Sequence, residues 1–230
     1  MSINPPSFTI NLDMVAIRFP EIRLSPRDAH KLRGYFGNLF REHSPLLHNH
    51  LEDGRLRYAY PLVQYKVVER VPMLVGLGEG AKLLAELFFQ MKAIKIDNRE
   101  YPVFERDIVF KNTAVGVGEG LVDYRFGTLW LPLNQEGYPE YRNMAPEERR
   151  GFLGRILTGH ILSFFKGAGL FLPPEVRVMT VVRPEEPVLT GYKDTQLMGF
   201  PGSFTANAVL PDYIGLGKAV SRGFGTIQQI

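Results

Sequence analysis

The N-terminal part of the chain alternates strand-like and helix-like patterns in an order that few folds accommodate. Apolar side chains recur every three or four residues along 25–41 and 79–92, the spacing of one face of a helix. Ser25 and Pro26 supply an N-cap and a first-turn proline for the first helix. Four ranges around these helices have the β-branched and aromatic character of strands: 8–19, 55–68, 71–77 and 93–96. The order β-α-β-β-α-β predicts a ferredoxin-like unit, the arrangement that also builds RNA-recognition modules.

A second, less regular set of elements follows the glycine-rich stretch VGVGEG at 115–120, which we interpret as a domain joint. A strand is predicted at 121–134, and a helix at 144–169 has proline at its start and glycine past its end. Strand-like segments follow at 176–182, 187–194, 195–210 and 223–228. We therefore predict an α+β protein of two tandem ferredoxin-like (RRM-like) domains, 1–118 and 119–230, of which the second is a half-degenerate copy.

The composition restricts the classes of protein to consider. Of the 230 residues, 45% are hydrophobic and 22% are charged, which is typical of a soluble globular protein. The absence of cysteine excludes disulfides, thiolate zinc sites and a cysteine nucleophile, and it is consistent with the reducing cytoplasm. No apolar run is long enough to span a bilayer. A formal net charge of +3 with a pI of about 9.1 permits an anionic partner.

The C-terminal segment combines glycines with basic side chains. Glycine tolerates positive φ and lets a backbone approach a ligand closely, and consecutive exposed amides form a concavity suited to phosphate. The segment matches neither a Walker loop nor a Rossmann fingerprint, and a tight turn before a final strand is the alternative explanation. The residues that form this pattern are Gly215, Gly217, Lys218, Ser221, Arg222, Gly223 and Gly225.

His48 and His50 are separated by one residue at the end of the apolar run LLHNH. If this run is extended, both imidazoles lie on the same side of the strand, with Cβ atoms about 7 Å apart at roughly 3.3 Å of rise per residue. One phosphate fits between such a pair, and a histidine pKa of roughly 6.5 suits both proton transfers of a metal-free ribonuclease.

Two other interpretations of the histidine pair stay open. A metal site usually needs three or four protein ligands, yet the nearest further histidine is His43, and no carboxylate stands at a recognisable ligand spacing. The pair could also be histidines with ordinary hydrogen bonds at a strand end. His160, on the apolar side of the 144–169 helix, is interpreted as a packed core histidine.

Four segments together resemble a known family. GLGKAVSRGFGTIQ resembles the C-terminal glycine-rich loop of the RAMP superfamily of CRISPR systems. KLRGYFGNLF, LLHNH and YAYPLVQYKVV resemble its precursor-crRNA endoribonuclease family, Cas six, and most closely the b-type branch. This resemblance implies cleavage of CRISPR repeat RNA without metal or cofactor, giving a 2′,3′-cyclic phosphate and a 5′-hydroxyl.

With this resemblance, we expect His48 and His50 to act as acid and base in an unassigned order, with Tyr58 orienting or assisting the proton transfer and His43 as a competitor. Arg55, Arg57 and Lys66 are expected to contact RNA together with the C-terminal residues named above.

A non-catalytic RNA-binding subunit of a CRISPR effector complex is the alternative function, and a metal-dependent nuclease is a third. A hairpin at 100–111 could offer an edge for a homodimer.

Overall fold

The computed structural model describes residues 7–39, 60–134, 137–192 and 195–230. Within it the chain divides into two compact units. The N-terminal unit comprises Asn11–Thr113 together with the short stretch Val220–Gly223. The C-terminal unit comprises the chain up to Ile10, Ala114–Ala219 and Phe224–Ile230. The predicted domain boundary between 118 and 119 stays a prediction, because two strands run from one unit into the other.

The N-terminal unit has the predicted order of elements. They are β1 (Phe8–Arg18), α1 (Ala29–Leu39), β2 (Val63–Val68), β3 (Val71–Leu77), α2 (Glu79–Leu87), β4 (Ala93–Ile96), β5 (Arg99–Pro102) and the start of β6 (Asp107–Phe126). Its strands lie in the order β2-β3-β1-β6, and β3 pairs antiparallel with both β1 and β2. This is the ferredoxin-like fold, with one correction. The fourth strand of the sheet is β6, whereas the predicted strand β4 pairs with β5 in a separate hairpin.

Local signals account for the helix start and the tight turn in this unit. Ser25 is the N-cap, as predicted: its side chain accepts from the Arg27 amide, while its own amide donates to the Asp28 carboxylate at 3.0 Å. A single 3-10 turn (Pro26–Asp28) precedes α1. The β2–β3 turn places Glu69 and Arg70 at φ values of 50° and 68°, the left-handed pair that a two-residue hairpin turn requires.

The core of the N-terminal unit lies between the helices and one face of the sheet. Alternate strand residues point into it, including Val15 and Ile17 of β1 and Tyr65 of β2, and they meet Phe36 of α1 and Leu84 of α2. Tyr65 stacks on Phe36 with ring centroids 6.2 Å apart. This packing orients β2, which also contacts Val220–Arg222 from the end of the chain.

The C-terminal unit is richer in strands. Its elements are the remainder of β6, α3 (Gly137–Asn143), α4 (Pro146–Gly167), β7 (Thr180–Pro184), β8 (Val188–Tyr192), β9 (Thr195–Gly199), β10 (Gly202–Val209) and β11 (Ile227–Gln229). The strand order is β6-β10-β7, with β11 also pairing with β6, and β8 and β9 form a separate hairpin. The short helix α3 was not predicted. The predicted strand 195–210 is split at Pro201, which separates β9 from β10.

Helix α4 confirms the predicted helix, which is two residues shorter at each end than the predicted 144–169, but not the predicted face. Pro146 opens the helix, and Gly169 follows its end at φ 84°. Of the predicted row Phe152, Ile156, His160 and Phe164, only Phe164 is fully buried. The buried row is shifted by one position and consists of Leu153, Leu157, Ile161, Phe164 and Phe165.

The glycine stretch 115–120, which was predicted as a domain joint, lies inside strand β6 and directly follows the division between the two units at Thr113 and Ala114. Gly116 within it is required by close packing. A Cβ at this position would lie 2.1 Å from the Phe8 carbonyl oxygen, so glycine is required for close approach of two backbones. No helix within the described residues is long and apolar enough to cross a membrane.

Candidate nucleic-acid interface

The C-terminal glycine-rich segment forms a ribbon with an irregular tip. We call residues 213–227 the tail ribbon and 217–224 its tip. The base is held by main-chain hydrogen bonds from Tyr213 to Ile227, from Ile227 to Ile214 and from Leu216 to Gly225, at 2.8, 3.0 and 2.8 Å. Ile214, Leu216 and Ile227 are fully buried. The base is therefore a fixed support for the tip.

Close packing requires glycine at three positions of the tail ribbon. Gly217, Gly223 and Gly225 have φ values of 96°, 88° and 63°. A Cβ on Gly225 would lie 1.9 Å from the Leu216 carbonyl oxygen, and one on Gly223 would lie 2.8 Å from the Ala29 Cβ. These positions are thus explained by the protein's own backbone and side chains.

Several tip and base amides are already used inside the protein, which changes the predicted mode of phosphate binding. The amide of Lys218 donates to the Leu131 carbonyl at 3.1 Å, that of Gly223 to Val220 at 3.1 Å, and that of Gly225 to Leu129 at 2.9 Å. These amides do not form the exposed concavity that the sequence suggested. The tip also carries the polar side chains of Lys218, Ser221 and Arg222.

Those side chains differ in exposure. Lys218 is exposed, while Ser221 and Arg222 are partly buried within the short 3-10 helix Val220–Arg222. In the N-terminal unit this 3-10 helix lies against α1 and β2. Arginine and lysine are the usual phosphate contacts of RNA-binding proteins, so the tip carries chemistry suited to an RNA backbone.

His160 makes a contact that the sequence did not indicate. Its Nδ1 accepts a hydrogen bond from Trp130 Nε1 at 3.3 Å, and the two rings meet edge to face at 88°. Because the indole N–H is only a donor, Nδ1 carries no proton and the imidazole is the neutral Nε2–H tautomer. Burial, reinforced by the positive charge of Lys218, lowers the pKa of His160 to about 4. His160 is therefore neutral near pH 7.

Lys66 of β2 is fully buried, whereas a phosphate ligand at a surface would be exposed. Its neighbours Tyr65 and Val67 point into the core, so strand alternation directs Lys66 to the opposite face of the sheet. Burial lowers the pKa of Lys66 from 10.5 to about 7. A contact between Lys66 and RNA stays a prediction that requires this side chain to be uncovered.

The residues predicted to carry out the chemistry lie outside the described part of the chain. These are His48, His50 and Tyr58, with Arg55, Arg57 and the competing His43. Among the described residues, no three histidine, aspartate or glutamate side chains are grouped as metal ligands would be. The metal interpretation of the histidine pair concerns His43, His48 and His50, which lie outside the described residues.

Comparison with known proteins agrees with this fold over 96% of the chain. The family model described as the Cas6b N-terminal domain matches residues 10–114, and that of the Cas6b C-terminal domain matches 116–230. A crystal structure of Cas6b is 31% identical with a TM-score of 0.89, covering 96% of this chain and 100% of that one. A second, titled as a CRISPR RNA processing endoribonuclease Cas6b, is 28% identical with a TM-score of 0.76 and the same coverage.

An uncharacterized protein of Methanocaldococcus jannaschii is 29% identical over 147 residues, which are 64% of this chain and 99% of that protein. Two tandem ferredoxin-like units with a glycine-rich C-terminal ribbon define a RAMP-type protein. Within that class, the chain belongs to the Cas6b family.

Proposed function

We propose that this protein is an endoribonuclease that binds CRISPR repeat RNA and cleaves it to process precursor crRNA. The observation that carries the proposal is membership of the Cas6b family along both halves of the chain. The relative titled as a CRISPR RNA processing endoribonuclease supports it, because 96% of this chain aligns with that protein at 28% identity.

The proposed chemistry needs no metal. One imidazole of the pair His48 and His50 takes the proton from a ribose 2′-hydroxyl, and the resulting oxygen attacks the adjoining phosphorus. The bond from phosphorus to the 5′-oxygen breaks, and the other imidazole donates a proton to that leaving oxygen. The products are a 2′,3′-cyclic phosphate and a 5′-hydroxyl.

The remaining groups offset charge and orient the reaction. In this proposal Tyr58 orients or assists a proton transfer, while Arg55 and Arg57 stabilise the additional negative charge of the phosphorane. His43 is the competing candidate for one of the two imidazole roles.

The tail ribbon would hold the RNA backbone through side chains. Lys218 is exposed at the tip, and Ser221 and Arg222 are accessible in part. Because several neighbouring amides are already bonded within the protein, binding should depend on these side chains more than on the glycine backbone. Each lost phosphate contact lowers the slope of log K against log salt by about one unit.

The test is cleavage of a repeat RNA by purified protein in excess EDTA. Cleavage that is abolished by a 2′-deoxy substitution at the cut site supports the proposed reaction. General acid–base catalysis contributes roughly 10²–10⁴-fold, so His48→Ala and His50→Ala should each cut slower by that factor while still binding. Tight binding of intact RNA by the wild type would instead indicate a non-catalytic subunit, and cutting only after divalent metal is restored would indicate a metal-dependent nuclease.

A further inference from the structure

The exposed Lys218 is connected to helix α4 through a short series of contacts within the C-terminal unit. His160 of α4 accepts a hydrogen bond from the indole of Trp130. The backbone of Gly217 lies directly against that indole, since a Cβ on Gly217 would be 2.9 Å from Trp130 Nε1. The next amide, that of Lys218, donates to the carbonyl of Leu131. Gly217 therefore contacts Trp130, and Lys218 is bonded to Leu131.

We propose that His160 is a positioning residue for RNA binding, which holds the Trp130 indole in place and thereby fixes the backbone that presents Lys218. This inference rests on the proposed function, because it takes Lys218 to be a phosphate contact.

The Trp130 indole is held by aromatic packing and by its hydrogen bond to His160. The ring is fully buried and stacks on Phe126 with centroids 5.1 Å apart and planes at 5°. Phe200 meets it edge to face at 66°. These contacts fix the plane of the ring, whereas a hydrogen bond at Nε1 fixes its direction within that plane. Gly217 has no room for even a methyl group beside Nε1, so an indole that moves toward residue 217 must displace it.

The charge of Lys218 is compatible with this role of His160. A protonated imidazole would present an N–H at Nδ1 to the N–H of Trp130, and the hydrogen bond would be lost. The positive charge of Lys218 acts with burial to disfavour that protonation. Lys218 therefore helps to keep His160 in the neutral form that accepts the hydrogen bond from Trp130.

The experiment compares His160→Ala, which removes the acceptor, with His160→Gln, whose amide oxygen can accept from the indole. Thr158→Val is the matched control. Thr158 lies on the same helix and is partly buried, but its hydroxyl bonds to Gly154 and Thr180, away from the tail. Two quantities are measured: the salt dependence of binding to a repeat RNA, and hydrogen exchange of the Lys218 amide in the RNA-free protein.

We expect His160→Ala to weaken RNA binding on the order of tenfold and to lower the salt slope by about one, as for loss of one charge-assisted contact. Lys218→Ala should have the same effect, and the double variant His160→Ala/Lys218→Ala should bind no more weakly than either single variant. The Lys218 amide should exchange faster in His160→Ala. His160→Gln and Thr158→Val should resemble the wild type in both measurements.

The inference is overturned if folded His160→Ala keeps the wild-type salt slope and the wild-type exchange of the Lys218 amide. It is also overturned if the effects of His160→Ala and Lys218→Ala on binding are additive. Failure of the proposed function has a different result: the wild type does not bind the repeat RNA, or Lys218→Ala leaves its slope unchanged. Amide exchange then still decides whether His160 holds residues 217 and 218.

Discussion

Lys66 makes the stability of this protein depend on pH in a direction that can be worked out from the structure. The side chain is fully buried, and burial lowers its pKa from 10.5 to about 7. Between these two values the unfolded chain holds a proton at this position and the folded protein does not. Stability rises with pH wherever the unfolded state binds more protons. The contribution of Lys66 to the free energy of unfolding therefore increases from pH 7 toward pH 10.5.

The magnitude follows from the width of that interval. Each pH unit between the two pKa values changes the free energy of unfolding by about 1.4 kcal/mol, so the whole interval corresponds to roughly 5 kcal/mol. Between pH 7.5 and pH 9.5, where fewer tyrosines and other lysines titrate, Lys66 alone should contribute a gain of about 2–3 kcal/mol.

The assay is urea unfolding of the wild type and Lys66→Met at half-unit steps of pH across this window. Methionine keeps the straight apolar chain and removes the titrating group, so the difference between the two proteins isolates Lys66. The exposed Lys95→Met of strand β4 is the control for loss of a positive charge. A difference between wild type and Lys66→Met that stays constant from pH 7.5 to 9.5, or that changes with the opposite sign, would refute the reasoning.

Three further predictions concern other buried groups. Because His160 titrates near pH 4 in the folded protein and at 6.5 in its ordinary state, its contribution to stability falls by about 3 kcal/mol as pH drops from 6.5 to 4. Acid unfolding monitored by circular dichroism should show a shallower loss in His160→Gln. The Tyr65 hydroxyl is buried and has no hydrogen-bond partner among the described residues. Tyr65→Phe should therefore raise stability by about 1 kcal/mol and the Tm by 2–4 °C in calorimetry, and a lower Tm would contradict this. Gly225→Ala would place a Cβ 1.9 Å from the Leu216 carbonyl oxygen and should cost about 3 kcal/mol or more in urea unfolding. Gly120→Ala, with open space around it, is its control and should remain near the wild type.

Elements specified by local patterns were predicted well. The order β-α-β-β-α-β, the N-cap at Ser25 and the proline at the start of α4 all follow from residues within a few positions of one another. Capping and periodicity act over one or two helical turns, so a single sequence carries them. The likeness of four segments to one family likewise needed no coordinates.

Features that depend on distant partners were not predicted well. The apolar face of α4 was placed one position too early, because its periodic pattern spans more than one row and contact with β7 selects the row that is buried. The close packing that requires Gly116 was not predicted, because the backbone that approaches it belongs to Phe8, more than a hundred residues earlier. The partner of β4 was also not predicted, because strand pairing joins residues that are not neighbours in the chain. β4 pairs with β5 in a separate hairpin and does not join the main sheet.

The sequence by itself determined the two-part α+β architecture, its family and the basic glycine-rich tail. Only the tertiary structure decided the protonation of buried groups such as His160. It also decided which amides of the tail ribbon are bonded within the protein and which close contacts require glycine. The physical reason is that desolvation and close approach depend on all neighbours in space. Lys66 looks like a surface cation and His160 like a core residue until the surroundings of each are known. Trp130, Gly217 and His160 are far apart in the chain, and only the fold brings them together beneath Lys218.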